Sequence, residues 1–149
     1  MDIYRVAFIG HREICGNCHL ADAVEQVIRQ QLQCREYVEF YAGRSGDFDL
    51  LAASAVKRAQ NALGRHNSSL ILVQPYPTKD DEYYASYYDE IVYPVDPKMH
   101  PKGAITRRNR WMIEQADLLL AFVNTEQLGG ARTALRYAEK KGVPVVNFI

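Results

Sequence analysis

The order of apolar and polar positions is clearest in the last third of the chain. Residues 117–123 (DLLLAFV) form an apolar run of the length expected for a strand buried on both faces, as in a parallel sheet. The next segment is predicted to be a helix, because its apolar side chains recur at helical spacing, at Ala131, Ala134, Leu135 and Ala138. A second apolar run, residues 143–149 (VPVVNFI), follows Gly142. The pattern therefore predicts a strand, a glycine turn, a helix and another strand.

The upstream chain shows the same alternation of strand and helix patterns. Apolar runs predict strands at residues 3–9, 38–42 and 70–73, with a shorter one at 90–93. A first helix is predicted from the spacing of Leu20, Val24, Val27, Ile28, Gln31 and Leu32. A second helix is predicted from a narrow stripe of small side chains at Leu51, Ala55, Ala59 and Ala62. We therefore predict an α/β fold, an open and mostly parallel sheet with helices on both faces, formed as a single domain over residues 1–149.

Turns with glycine or polar residues follow three predicted strands, after Ile9, after Ala42 and after Val123. The carboxyl ends of parallel strands lie at one edge of an open sheet, where such sheets bind their ligands, so we expect the turns to converge. A glycine pair at the start of a helix leaves backbone N–H groups free, and with the helix dipole these groups bind phosphate. The arginines of residues 106–110 (TRRNR) would add guanidinium groups that pair with phosphate oxygens.

These features predict a pocket for a phosphorylated ligand, which we interpret as a nucleotide. Its candidate residues are Gly10, His11, Arg12, Gly43, Ser45, Gly46, Asp47, Asp49, Gln74, Arg107, Asn109, Arg110, Gly129, Gly130 and Thr133. Structural roles stay open for several of them. The glycine pair could serve only to turn the chain, His11 and Gln74 could bond to backbone, and Asp47 could cap the second helix.

Asn109 interrupts an apolar stripe of the segment before residue 117, at the spacing of Ile105, Met112 and Ala116. A buried amide needs a hydrogen-bond partner, because leaving it unpaired costs about 1–3 kcal/mol, and we expect that partner to be a neighbouring glycine loop or the ligand. We hypothesise that Asn109 fixes the pocket wall while Arg107 or Arg110 binds phosphate.

The sequence resembles a known family in several motifs. RNRWMIEQADLLLAFVN followed by GGARTALRYAEKKGVPVVNF is similar to the C-terminal half of the SLOG superfamily, and FIGHRE, FYAGRSGDFDLLAA, ILVQPYP and YDEIVYP precede it in family order. This superfamily is the Rossmann-like group that contains DprA/Smf and the LOG phosphoribohydrolases, and the resemblance is closest to its small YpsA-like proteins. It spans nearly the whole chain, and it implies a Rossmann-like fold with a nucleotide pocket.

One motif departs from the enzymes of that superfamily. The LOG enzymes carry P-G-G-x-G-T-x-x-E, whose glutamate acts in cleaving the glycosidic bond, whereas residues 128–136 here read LGGARTALR. The glycine pair and Thr133 remain, but Arg136 stands roughly where the resemblance places the glutamate. Asp47, Asp49 or Glu126 could supply a carboxylate instead.

We therefore expect a protein that binds or senses a nucleotide or nucleotide-derived ligand, with no assigned catalytic residue. The alternative is an enzyme, a nucleotide hydrolase of the N-glycosidase or phosphoribohydrolase type that uses a different acid. A weaker alternative is single-stranded DNA binding, as in DprA-like proteins.

The charge balance restricts the partners. Eighteen basic and eighteen acidic residues cancel, so no overall charge attracts nucleic acid or an anionic membrane. No apolar run approaches the ~20 residues that span a bilayer, and the N-terminus lacks a leader pattern. We expect a cytoplasmic protein with no membrane partner and no cofactor, and the charge balance disfavours a nucleic-acid partner.

Cys15, Cys18 and His19 form a C-x-x-C-H string, which attaches haem in exported proteins. Without an export signal, haem is disfavoured, and the alternatives are a redox pair or two reduced cysteines in a loop. Zinc would need further ligands, so no metal is predicted.

Four tyrosines form two pairs at a spacing of four residues, and they are Tyr83, Tyr84, Tyr87 and Tyr88. Such a pattern is typical of packing in a core or a subunit interface, with base stacking as a minor alternative. We expect a homo-oligomer, a dimer or larger.

Overall fold

The computed structural model describes residues 1–14 and 19–149. Cys15 and Cys18, which the sequence places in a loop, lie outside the described residues. The strands are β1 (Ile3–Gly10), β2 (Tyr37–Ala42), β3 (Ser68–Val73), β4 (Glu90–Val92), β5 (Leu118–Phe122) and β6 (Val145–Asn147). The helices are α1 (Leu20–Cys34), α2 (Asp47–Leu63), α3 (Asp81–Tyr84), α4 (Pro101–Gln115) and α5 (Gly130–Lys141).

The strands form one parallel sheet in the order β4-β3-β2-β1-β5-β6. β1 lies between β2 and β5, where Val6 pairs with Phe40 on one side and Leu118 on the other. The remaining neighbours along the sheet are also parallel. The predicted parallel sheet is therefore confirmed, and β1 and β5 bring together turns from the two ends of the chain.

Helices cover both faces of the sheet. α1 and α2 pack on one face against alternate strand residues such as Val6, Phe8 and Phe40. α4 and α5 pack on the other face against Ala7 and Ile9, among other residues. Since alternate side chains of a strand point to opposite faces, β1 contributes to both hydrophobic cores. This confirms the predicted α/β architecture with two helical layers.

The core-facing side of α2 is broader than the predicted stripe. Ala55 and Ala59 are buried as expected, but Leu51 is only partly buried and Ala62 is exposed. The helix also buries Phe48, Ala52, Ala53 and Val56. It packs against both the sheet and α1, so two adjacent sides of the helix are covered rather than one narrow stripe.

The tyrosine-rich segment is not a continuous helix. α3 ends at Tyr84, and turns follow it. Tyr88 is buried in the core, whereas Tyr83 keeps 77% of its surface exposed. The tyrosine pairs at a spacing of four residues therefore do not lie on one helical face, because the helix ends before Tyr87 and Tyr88. Nowhere in the described parts of the chain is a helix long and apolar enough to cross a membrane.

Candidate functional site

A cleft of about 330 Å³ opens at the carboxyl ends of β1 and β2, between α4 and the start of α5. Nine predicted residues line it, namely Gly10, His11, Arg12, Gly43, Ser45, Asp49, Asn109, Gly129 and Gly130. The other lining residues are Phe8, Ile9, Ile105, Arg108, Met112, Gln127, Leu128 and Ala131. We call this the main cleft. Its volume lies at the lower end of the range of roughly 300–1,000 Å³ that is typical of small-molecule sites.

Six predicted residues lie outside the lining of the main cleft, namely Gly46, Asp47, Gln74, Arg107, Arg110 and Thr133. Arg107 and Arg110 are exposed, and the Arg110 guanidinium lies 5.2 Å from the centre of the Tyr137 ring. Of the three arginines between residues 106 and 110, only Arg108 reaches the cleft.

Arg108 is the residue that the sequence reasoning passed over. The buried side of α4 runs through Ala104, Arg108 and Met112. The predicted stripe also contains Met112, but it placed Ile105 and Asn109 where Ala104 and Arg108 are buried. Arg108 is 2% exposed. In the sequence, an arginine at this position interrupts the apolar stripe and therefore indicates an exposed residue. Its spacing of four residues from both Ala104 and Met112 is the pattern that indicates a buried position.

The Arg108 guanidinium connects several parts of the cleft. Nη1 donates to the Val73 carbonyl at 2.9 Å, Nη2 to Ser45 Oγ at 2.8 Å, and Nε to Asn109 Oδ1 at 2.9 Å. A guanidinium has five N–H groups, so two of them have no partner among the described residues. The half-buried Asn109 is therefore paired, but its partner is the neighbouring Arg108 and not a glycine loop.

Gly43 and Gly46 are explained by internal packing. A Cβ on Gly43 would lie 2.5 Å from Arg108 Nη1, so the guanidinium occupies the space of a side chain. A Cβ on Gly46 would lie 2.4 Å from the Arg12 Cα, where the Asp47 N–H donates to the Arg12 carbonyl at 2.8 Å. Gly46 thus lets the segments before α2 and after β1 pack closely together, whereas Gly43 leaves room for the Arg108 guanidinium of α4.

Gly129 and Gly130 have a different environment. No atom lies within 4 Å of a Cβ built on either residue. Gly129 has a φ of 142°, which favours glycine, but Gly130 has an ordinary helical position at the start of α5. Thr133 donates its hydroxyl to the Gly129 carbonyl at 3.1 Å, so it fixes the turn from outside the cleft. Packing within the described residues therefore gives no reason for glycine at position 130.

The two aspartates at the start of α2 have separate roles. Asp47 does not cap α2, because it is the first helical residue and its Oδ2 accepts from the Ile14 N–H at 3.4 Å. Asp49 is buried and accepts the Ser45 N–H at 2.8 Å. Burial raises the pKa of Asp49, although the charge of Arg108 and the Ser45 N–H oppose this shift. Asp49 is thus the carboxyl group inside the main cleft.

His11 holds the loop after β5. Its Nε2 accepts the Asn124 backbone N–H at 2.8 Å, and its ring meets Phe122 edge to face with 6.5 Å between the ring centres. A ring nitrogen that accepts a hydrogen bond carries no proton, so this arrangement requires the neutral imidazole. Burial also lowers the pKa of His11. His11 therefore has both of the roles considered for it, because it lines the main cleft and also accepts a hydrogen bond from the backbone.

Gln74 lies in a second cleft of about 350 Å³, which shares Arg12, Ser45 and Ile105 with the main cleft. Tyr76, Tyr84 and Arg44 also line it. We call this second cleft the Gln74 compartment. Gln74 is 6% exposed, and its Nε2 donates to Asp81 Oδ1 at 3.0 Å rather than to backbone. Asp81 could not be predicted from the sequence, because its hydrogen-bond partners come from the loop after β3 and from the loop after β4.

No group of three His, Cys, Asp or Glu side chains within residues 1–14 and 19–149 could hold a metal ion. The main cleft offers the chemistry of a polar pocket. It combines free N–H groups at the start of α5, an exposed arginine at position 12 and a buried carboxyl group at Asp49.

Comparisons with known proteins show the fold. No protein-family model matches the chain, and no curated protein matches it in sequence. DNA processing protein A (DprA) from Streptococcus pneumoniae superimposes with a TM-score of 0.67 at 17% identity, over 96% of this chain. The fold is that of DprA-like Rossmann proteins. The chain spans only 49% of that DprA chain.

A second solved structure agrees with this result. The molybdenum cofactor carrier protein from Chlamydomonas reinhardtii superimposes with a TM-score of 0.60 at 14% identity, over 98% of this chain and 76% of the carrier. Both proteins share the architecture of the parallel sheet, so the predicted Rossmann-like fold is confirmed.

Proposed function

We propose that the main cleft binds a nucleotide or nucleotide-derived ligand, and that the protein acts as a binding or sensing module. Gly130 carries this proposal. It begins α5 where N–H groups are free, the space beside its Cα is empty, and no packing contact within the described residues requires a glycine there. A phosphate group that approaches the backbone closely gives a physical reason for glycine at such a position.

The charges around the cleft support an anionic ligand. The Arg12 side chain is exposed at the rim, and it makes no hydrogen bond or ion pair with the described residues. Arg108 adds a second cation deeper in the cleft, with two N–H groups to spare. Arginine and phosphate form the strongest class of charged hydrogen bond, so both residues favour phosphate over a neutral group.

We further propose that the chain belongs to the YpsA-like branch of the SLOG superfamily. The motifs of residues 8–13, 40–53, 71–77, 88–94, 108–124 and 129–148 support this placement, since they occur in family order on a fold of the DprA type. The name of the molybdenum cofactor carrier adds that cofactor as a second ligand to be tested.

Hydrolysis of the bound nucleotide is the second candidate function. Of the three acids that could replace the missing glutamate, Asp47 and Glu126 lie outside the main cleft and Asp49 lines it. Burial raises the pKa of Asp49 and so favours its protonated form, which can act as a general acid. Chromatography of the bound ligand would detect a released base, and Asp49→Asn should abolish its release.

Nucleotide binding is tested by the melting temperature in a panel of nucleoside phosphates, because a ligand that binds only the folded state stabilises it. Gly130→Val should remove the stabilisation while the variant stays folded. Gly103→Val is the matched control, since Gly103 also lies in the first turn of a helix and a Cβ there meets only Met99 at 3.7 Å. Unchanged binding by Gly130→Val, or no shift with any nucleotide, would contradict the proposal. Single-stranded DNA in the same assay tests the weaker alternative.

A further inference from the structure

Asp81 is a buried carboxylate surrounded by hydrogen-bond donors. It is 8% exposed, and it accepts the Thr78 N–H at 2.9 Å, the Thr78 hydroxyl at 2.6 Å, the Tyr93 hydroxyl at 2.6 Å and Gln74 Nε2 at 3.0 Å. Burial opposes ionisation, but the hydrogen bonds from Thr78, Tyr93 and Gln74 outweigh it and lower the pKa of Asp81. The bond to Asp81 in turn raises the pKa of Tyr93 to about 12. Near neutral pH, Asp81 is therefore an acceptor on every side.

This environment fixes which end of the Gln74 amide faces Asp81. An ionised carboxylate can only accept, so it must receive the N–H of Gln74 and cannot bond to its oxygen. The Gln74 backbone is also held, because its N–H donates to the Val92 carbonyl at 2.9 Å. The side-chain oxygen Oε1 accepts no hydrogen bond from the described residues, and Gln74 lines the compartment beside Arg12 and Tyr76.

We propose that Gln74 Oε1 is a specificity determinant of the ligand site, where it accepts a hydrogen bond from an exocyclic NH₂ group on the ligand's heterocycle. This inference rests on the proposed nucleotide function and adds the part of the ligand that is recognised. Arg12, Ser45 and Ile105 border both clefts, so one ligand can occupy them together. Its phosphate lies at the start of α5 and its base in the Gln74 compartment, where Tyr76 is 40% exposed and offers a ring face.

Asp81 acts as the positioning residue for this contact. A base that presents only acceptors towards Gln74 covers the Gln74 oxygen without giving it a hydrogen-bond partner, which weakens binding by about tenfold or more. In an Asp81→Asn variant the new amide can donate to Gln74, so the Gln74 side chain can turn over and present its NH₂ group to the ligand. The base preference would then move from donors towards acceptors.

The experiment measures dissociation constants by calorimetry for the monophosphates of adenosine, guanosine, inosine, cytidine, uridine and purine riboside. Purine riboside differs from adenosine by lacking the amino group, and inosine differs from guanosine in the same way. In the wild type, at least one nucleotide should bind about tenfold more tightly than its partner without the amino group. Gln74→Met, which keeps length without polarity, should abolish that difference.

Asp81→Asn should change the ranking of the bases, whereas Tyr93→Phe should leave it unchanged. Tyr93 contacts Asp81 and lies outside the lining of both clefts, and its loss keeps the carboxylate that orients Gln74. If Asp81→Asn does not fold, Gln74→Met decides alone. An identical base ranking in wild type and Gln74→Met overturns this inference, while phosphate-dependent binding that Gly130→Val removes would leave the nucleotide site standing. No binding by any nucleotide overturns both.

Discussion

Two groups of glycines lie in or next to the lining of the main cleft, and they are glycines for opposite reasons. At Gly43 and Gly46, the place of a side chain is filled by Arg108 and by the Arg12 backbone. At Gly130 that place is empty. In the sequence both groups read as phosphate-binding turns. The difference teaches that a glycine whose missing side chain is replaced by the protein's own atoms belongs to the architecture. Gly130 faces empty space and has no positive φ that would require a glycine, so the ligand we propose is what accounts for it.

The largest effect on stability is expected at Gly46. A methyl group in Gly46→Ala would meet the Arg12 Cα at 2.4 Å, and backbone cannot move aside as a side chain can. We expect a loss of about 3 kcal/mol in the free energy of unfolding, measured by denaturant titration. Gly103→Ala, on an exposed first turn, is the control and should not be destabilised. A cost at Gly46 similar to that of the control would remove the distinction between the two groups.

A smaller effect is expected from His11, which ties the packed end of β1 to the loop leading to Gly129. Its pKa is lowered in the folded state, so the unfolded chain binds the proton more readily. The stability that neutral His11 contributes is complete above its unfolded pKa of about 6.5, and it falls as the pH drops through the lower folded pKa. His11→Gln keeps an acceptor for the Asn124 N–H but does not titrate.

The measurement is the free energy of unfolding of both proteins between pH 5 and 7.5. The wild type should lose more stability than His11→Gln as the pH falls. Parallel curves would show that His11 does not sense pH in the folded protein.

The smallest effect on stability is expected at Gly130. Gly130→Ala adds a methyl group that meets nothing within 4 Å, and alanine favours a helix over glycine by about 1 kcal/mol at interior positions and by less at a helix start. We therefore expect the free energy of unfolding to change by less than about 1 kcal/mol. A large destabilisation in the absence of nucleotide would place Gly130 with the packed glycines instead.

Much of the fold could be predicted because apolar runs and glycine turns are local signals. The run at residues 117–123 contains β5, and Gly142 closes α5 in the left-handed conformation as the pattern indicates. The structure of the segment after β3 could not be predicted in the same way, because its tyrosines at helical spacing belong to a short helix and to the turns that follow it. The expected homo-oligomer, for which those tyrosines were one basis, stays a prediction.

The sequence predicted the turns that surround the cleft, but it did not predict the buried arginine, Arg108, inside it. Strand ends can be located from sequence, and so Gly10, Gly43 and Gly130 were found. The orientation of a helix about its axis cannot be fixed by apolar spacing when a buried position holds a charge, and this is why Arg108 was passed over. The Asp81 contacts join residues on either side of α3 and β4, so no spacing in the sequence indicates them.

The position of β1 between β2 and β5 also bears on the order in which the chain can assemble. β2 returns to β1 after one helix, but the bond from the Arg5 N–H to Asp117 joins residues 112 positions apart. Closing so long a loop is the slow and entropically costly part of forming such a sheet. Ser45 and Asp49 lie next to β2, which pairs with β1 through a short connection. Arg108 and Gly130 flank β5, so the two walls of the cleft meet only when β5 pairs with β1. The cleft is therefore complete only in a chain that has folded from end to end.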